Sequence, residues 1–238
     1  MSTKKQVQDA GCFSNAVKIN GECLPFPVSR FIGRRSESRA KACFCMAERG
    51  GTKKGLIPFI HRAGDMAEEL EILEFLRRET NAILHADLIA GLPGEDFTSF
   101  GTGFDRLWKV LSGNKPASPG SSASQSGSFF EIQVGILKCL PGTLIARHNK
   151  THGMRYSAEP PYEVIETGAM SAAELGRIKN FARFWEVIVN RNPFPELIPR
   201  LLPPGEPAFD RFMELSDRLL EHFGRNWGID RAELYAKL

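Results

Sequence analysis

The sequence predicts an α/β fold: a strand–helix–strand unit with parallel strands, followed by a helical C-terminal part. Three features predict it. Two short apolar runs, 83–90 and 129–140, end in the turn clusters Gly91-Leu92-Pro93-Gly94 and Pro141-Gly142-Thr143. Runs of that length with such terminators read as buried strands. Between them apolar residues recur at helical spacing, and beyond the second run the pattern is helical to the end. Strand, helix and strand in this order place the two strands parallel in one sheet.

Taken in order, residues 1–62 lack a periodic pattern and read as an irregular basic segment, disordered or foreign to the fold. A helix is expected from Asp65 to about Glu79, on Leu70, Leu73 and Leu76 with Met66 and Phe75 beside them. The first strand follows over Ile83 to Ala90. Glu95 and Asp96 then open a helix whose apolar positions are Phe97, Phe100, Phe104, Leu107, Trp108 and Leu111, and acids at its start suit the helix dipole. Gly101 and Gly103 each weaken that helix by about 1 kcal/mol relative to Ala, so packing must hold it. Residues 112–128 hold seven Ser among Gly, Pro and Ala and read as a flexible insert. The second strand candidate runs from Phe129 to Leu140. Ser171 and Glu174 form a capping box that leads into the apolar stripe Leu175, Ile178, Phe181, Trp185 and Ile188. A further helix carries Phe209, Phe212, Met213, Leu219, Leu220 and Phe223, and a short one closes the chain near Arg231–Leu238. The resulting division is 1–62, 63–145 and 146–238.

With 42% hydrophobic and 25% charged residues, the composition is that of a globular protein. No run approaches the roughly 18 apolar residues of a membrane helix, so no membrane partner is expected. Five cysteines at irregular spacing do not form a disulfide framework, and a reducing cytoplasm is the expected location. The net charge of +3 hides a split. Residues 1–62 hold 12 Lys or Arg against 4 Asp or Glu, and the remainder 19 against 24. Arg30, Arg34, Arg35, Arg39 and Lys41 make a basic run without interleaved aromatic stacking residues, so a nucleic-acid partner is not expected.

A strand alternates its faces. His85, Asp87 and Ile89 share one side of the first strand; Glu131, Gln133, Gly135 and Leu137 share one side of the second. Polar groups on the face of a parallel sheet are costly unless paired. The four polar residues are therefore either site candidates or a set that hydrogen-bond one another. His148-x3-His152 has metal-ligand spacing if helical, but Asn149, Thr151 and Gly153 mark it as loop.

The segment Asp87-Leu-Ile-Ala-Gly-Leu-Pro-Gly-Glu95-Asp96 resembles the fifth-strand segment of radical S-adenosylmethionine (SAM) enzymes. Its Asp-Leu-Ile-x-Gly-Leu-Pro-Gly form is found in oxygen-independent coproporphyrinogen oxidases and in cobalamin-binding-domain radical SAM proteins. Gly135-Ile-Leu-Lys-Cys-Leu-Pro-Gly-Thr143, Pro160-Pro-Tyr-Glu-Val-Ile-Glu-Thr167 and the helix from Ser171 through Trp185 resemble the C-terminal extension of the second group. The resemblance covers roughly residues 63–238. It implies an incomplete radical SAM (β/α) barrel, last strands only, followed by an α-helical C-terminal extension.

In the family SAM binds across the C-terminal ends of the parallel strands. Carried over, Asp87 would contact a polar group of SAM, Ile89 would pack on the adenine, and Ala90 and Gly91 would let it approach the backbone. Leu137 and Lys138, at the end of the next strand, would also touch the adenine. The family's chemistry needs a [4Fe–4S] cluster on Cys-x3-Cys-x2-Cys, and Cys12, Cys23, Cys43, Cys45 and Cys139 do not form it. The expectation is a truncated portion of a longer product: SAM- and iron–sulfur-dependent in the full-length family, acting on an unknown small-molecule substrate, and inactive alone. The alternative is a non-catalytic remnant or interaction protein. Its fold would need a partner supplying the missing barrel portion, and the family chemistry would need a reductant. Such a sheet would have two exposed edges, an aggregation liability.

Overall fold

The structure, a computed structural model, describes residues 16–19, 22–25, 41–46, 66–79, 83–113 and 130–238. Its centre is a parallel sheet of β3 (Lys41–Met46), β4 (Ile83–Ala90) and β5 (Phe130–Ile136), in the order β3-β4-β5. Leu84 pairs with Phe130 and Ala90 with Ile136, so β4 and β5 are parallel and in register along their length. The βαβ reading holds. Helix α1 (Met66–Glu79) precedes β4, and α2 (Phe97–Ser112) makes the crossover to β5. Among the described residues the sheet is open, and the fold is mixed α/β without a closed barrel.

Within residues 1–62, where the sequence suggests no regular element, the structure has three strands. β1 (Ala16–Ile19) and β2 (Glu22–Pro25) pair antiparallel, and β3 joins β4. A six-residue strand leaves no helical period to detect, and a parallel partner forty residues away leaves no local signal. The basic run, apart from Lys41, and the Ser-rich stretch from residue 114 to 128 lie outside the described residues.

Alternation sorts β4 cleanly. Leu84, Ala86, Leu88 and Ala90 are all at most 3% exposed, whereas His85, Asp87 and Ile89 are half-buried. The buried face lies under helices. α2 begins at Asp96, whose carboxylate accepts from the Ser99 N–H at 2.8 Å while the Asp96 N–H donates to Ser99 Oγ at 3.1 Å. That reciprocal cap satisfies two donors the helix start would otherwise leave unpaired. Gly101 has its own reason to lack a side chain. A Cβ there would meet Phe209 Cδ1 at 2.4 Å, so the helix gives up propensity to admit an aromatic ring.

That ring belongs to the C-terminal part. After the 3₁₀ turn Leu144–His148 and the short hairpin of β6 (Arg155–Tyr156) and β7 (Val164–Glu166), the chain forms α3 (Ala172–Trp185). A π-helical turn, Glu186–Asn190, extends α3; α4 (Ile198–Leu201), α5 (Phe209–Phe223) and α6 (Arg231–Tyr235) follow. Ser171 and Glu174 cap α3 as the sequence indicates. Phe104 of α2 stands edge-on to Trp185 at 4.7 Å and to Phe181 at 5.0 Å, and Phe212 of α5 stands edge-on to Trp185 at 4.9 Å. Each such pair contributes about 0.5–1.5 kcal/mol beyond the area it buries. Residues 63–145 and 146–238 thus share one hydrophobic core.

The β5 edge is covered in part. The Asn190 side chain accepts from the Ile132 N–H at 3.3 Å and donates to the Ile132 carbonyl at 2.9 Å. Past Ile136 the chain pairs with the β7 segment. The Val164 N–H donates to Leu137 O at 2.8 Å and the Cys139 N–H to Tyr162 O at 3.0 Å. The expected exposure of both sheet edges is thereby corrected at β5. The two motifs Gly135–Thr143 and Pro160–Thr167 are the two sides of this contact.

Candidate functional site

The face of β4 and β5 opposite the helices carries the polar residues, and the structure brings all four together. Register places Glu131 beside His85 and Gln133 beside Asp87. His85 joins them. Its Nδ1 lies 2.8 Å from Glu131 Oε2, and its Nε2 lies 2.9 Å from Asp87 Oδ1 and 3.2 Å from Gln133 Oε1. The side chains of His85, Asp87 and Glu131 are 16%, 33% and 37% exposed. The set is mutually hydrogen-bonded and also reachable from solvent, so both sequence readings describe it in part.

Burial disfavours a charge on His85, but the hydrogen bond to Glu131 and the negative charges of Asp87 and Glu131 together outweigh it. The imidazole is held above its ordinary value. Cys43 and Cys45 of β3 occupy the register positions beside His85 and Asp87.

One step further toward the strand C-termini, Ile89 pairs with Gly135. Among the described residues, a Cβ built on Gly135 would have a single neighbour within 4 Å, Leu88 O at 3.8 Å. This strand glycine leaves open space next to an aliphatic side chain, a place where a flat group can reach the sheet. The signal was in the sequence, because Gly135 shares the face of Glu131 and Gln133.

The other residues named from the resemblance are placed differently. Ala90 is fully buried on the helix side of β4, and its carbonyl accepts from the Leu137 N–H at 3.0 Å. Gly91 has φ +85°, and the space its Cβ would take is filled by Val164 Cγ1 at 2.5 Å, with Leu175 Cδ2 at 3.3 Å. Packing against this chain's own β7 and α3 already requires glycine at 91. Leu137 is half-buried and packs on the core; Lys138 is exposed, and its backbone forms an isolated antiparallel β-bridge with Glu163. Asp87 and Ile89 therefore line the accessible face, and Ala90 and Gly91 serve the junction with the C-terminal part.

The donor set for an iron–sulfur cluster does not fit. Among the described residues no three His, Cys, Asp or Glu side chains converge as metal ligands, and no three cysteines of the sequence have the required spacing. In the His85 cluster the two carboxylates sit on opposite ring nitrogens, which keeps the three donors from meeting at one point. His148 and His152 stand edge to face at 5.9 Å, and His148 Nε2 accepts from Arg147 Nε at 3.0 Å. Burial first, and then the neighbouring His148, hold His152 below its ordinary value.

Fold and site define an open parallel α/β sheet with one helix-covered face, one accessible polar face, and a helical C-terminal part closing its edge. Residues 150–238, which make up most of that closing part, match the model of a family described as protein of unknown function (DUF4080). No curated protein matches the chain. Among the described residues no helix is long and apolar enough to cross a membrane.

Proposed function

We propose that this chain is the C-terminal part of a radical SAM protein of the cobalamin-binding-domain type, and that its polar sheet face is a wall of the SAM site. The observation that carries the reading is the strip formed by Asp87, Ile89 and Gly135. It combines a carboxylate, an aliphatic side chain and an open glycine, side by side near the C-terminal ends of parallel strands. Parallel (β/α) sheets bind ligands at that end. The family matched by residues 150–238 is associated with B12-binding radical SAM proteins, which supports the same reading.

SAM bound to an iron–sulfur cluster supplies radical chemistry in the family, and the cluster's ligands are not among this chain's cysteines. What this chain contributes is binding. Ile89 and Gly135 present an apolar shelf for a flat ring, and Asp87 offers an acceptor to a donor or cationic group. The reading is a fragment without catalysis of its own, completed by a partner or segment that brings the cluster. Calorimetric titration of the purified chain with SAM tests it. Saturable binding near one site per chain is expected, and an absence of binding heat at millimolar SAM would leave the interaction-protein alternative.

A further inference from the structure

Gln133 stands on the accessible face of β5, between Glu131 and Gly135 in the alternation, and its side chain is exposed. His85 fixes the direction of its carboxamide. The ring Nε2 lies 2.9 Å from Asp87 Oδ1 and 3.2 Å from Gln133 Oε1. A carboxylate at hydrogen-bond distance requires the proton to sit on Nε2, and the amide then turns its oxygen, not its NH2, to the same nitrogen. The NH2 end is thereby turned away from the ring. Holding His85 uses only the oxygen, and among the described residues the amide N–H donors make no hydrogen bond.

We infer that Gln133 reads the ring of the bound ligand, its amide N–H donating to an in-plane nitrogen of the adenine that lies on Ile89 and Gly135. The inference rests on the reading of this face as a SAM wall and adds to it a residue that sets specificity. Gly135 is two residues from Gln133 on the same face, roughly 7 Å along the strand, a span that one side chain and one ring cover together. The aliphatic shelf alone accepts any flat ring. A donor beside it favours a ring with an acceptor nitrogen over one that carries a C–H at that place. A glutamine carboxamide suits the task, since it pairs with the polar edge of adenine when proteins read DNA. Asn190 engages β5 through the backbone of Ile132 and leaves the Gln133 side chain exposed.

The experiment is calorimetric titration of the full chain with SAM and with its 1-deaza, 3-deaza and 7-deaza analogues, each of which replaces one ring nitrogen by C–H. Wild type should bind one of the three about three- to tenfold more weakly than SAM, and that analogue identifies the nitrogen. Gln133→Met should bind SAM more weakly by a similar factor and treat SAM and that analogue alike. Gln133→Glu keeps an oxygen for His85 but replaces the donor by an acceptor, so it should weaken SAM binding at least as much. If Gln133→Met does not fold, the wild-type series and Gln133→Glu decide. Equal binding of SAM and all three analogues by wild type overturns the assignment and leaves the SAM-wall reading standing. So does a discrimination that persists in the folded variants, which would reduce Gln133 to a support for His85. No SAM binding by wild type overturns both.

Discussion

Asn190 caps the outer edge of β5 at Ile132 with a single side chain. Its carboxamide meets both the N–H and the C=O of Ile132, at 3.3 and 2.9 Å, and its amide also donates to Glu186 Oε2 at 3.0 Å. Those two backbone groups are the ones a further parallel strand would have engaged. The π-helical turn Glu186–Asn190 at the end of α3 is what delivers the carboxamide to that point.

Asn190→Ala should therefore cost about 1–3 kcal/mol, because it leaves buried backbone groups of β5 without partners. It should also expose a strand edge to a second chain. Urea denaturation and light scattering check the two effects. A stability unchanged from wild type, with no added self-association, would mean that water replaces the amide without loss.

Asp105 holds α5 in the way Asn190 holds β5. Its Oδ1 accepts from the Ala208 and Phe209 N–H groups at 2.6 and 2.8 Å, across more than a hundred residues of sequence. Asp105→Ala should lose about 1–2 kcal/mol, the range for removing a helix-start cap, while Asp105→Asn keeps the acceptor and should lose less. Burial raises the Asp105 carboxyl more than the two backbone hydrogen bonds lower it. The neutral acid is thus favoured by folding, and this contribution fades as pH rises through the folded-state value. The margin of wild type over Asp105→Asn should accordingly widen toward acid and narrow as pH rises.

His85 makes a second pH-dependent contribution of the same sign. Its folded-state value lies above the unfolded one. The stability it adds is full below the unfolded value of about 6.5 and is lost as pH rises through the folded value. Wild type should exceed His85→Gln by about 1 kcal/mol near pH 5.5, since the cluster is partly solvent-exposed. The difference should shrink by pH 8.5. A gap constant with pH would show that folding leaves the protonation of the ring unchanged.

The fold was legible where local pattern and tertiary fate coincide. β4, α2 and the capping box at Ser171 stand where periodicity and terminators put them. The four polar residues of the sheet face were also legible, because alternation alone places them together. Three things were not. β3 is short, and its partner is distant. Asn190 is one amide in a helical stripe, and nothing local marks it as the closure of a sheet edge. Gly91 looked like a place for a ligand to approach, but the neighbour that needs the space is Val164, more than seventy residues later.

Ser216 offers a check on the core itself. Its hydroxyl is fully buried in α5 and has no hydrogen-bond partner among the described residues. Ser216→Ala removes an unpaired polar group at little change in volume. It should be neutral or stabilise by about 1 kcal/mol, which a thermal melt can resolve. A clear loss of stability would show that a partner for the hydroxyl exists in solution.

The central claim is that the strip at Asp87, Ile89 and Gly135 receives SAM, and Gly135→Leu addresses it with least disturbance of the fold. Among the described residues a Cβ here meets nothing closer than Leu88 O at 3.8 Å, so the substitution should change the unfolding free energy by no more than about 1 kcal/mol. Titrated with SAM beside the wild-type chain, Gly135→Leu should lose binding at least tenfold while remaining folded. Equal SAM binding by the two proteins, or none by wild type, would contradict the account.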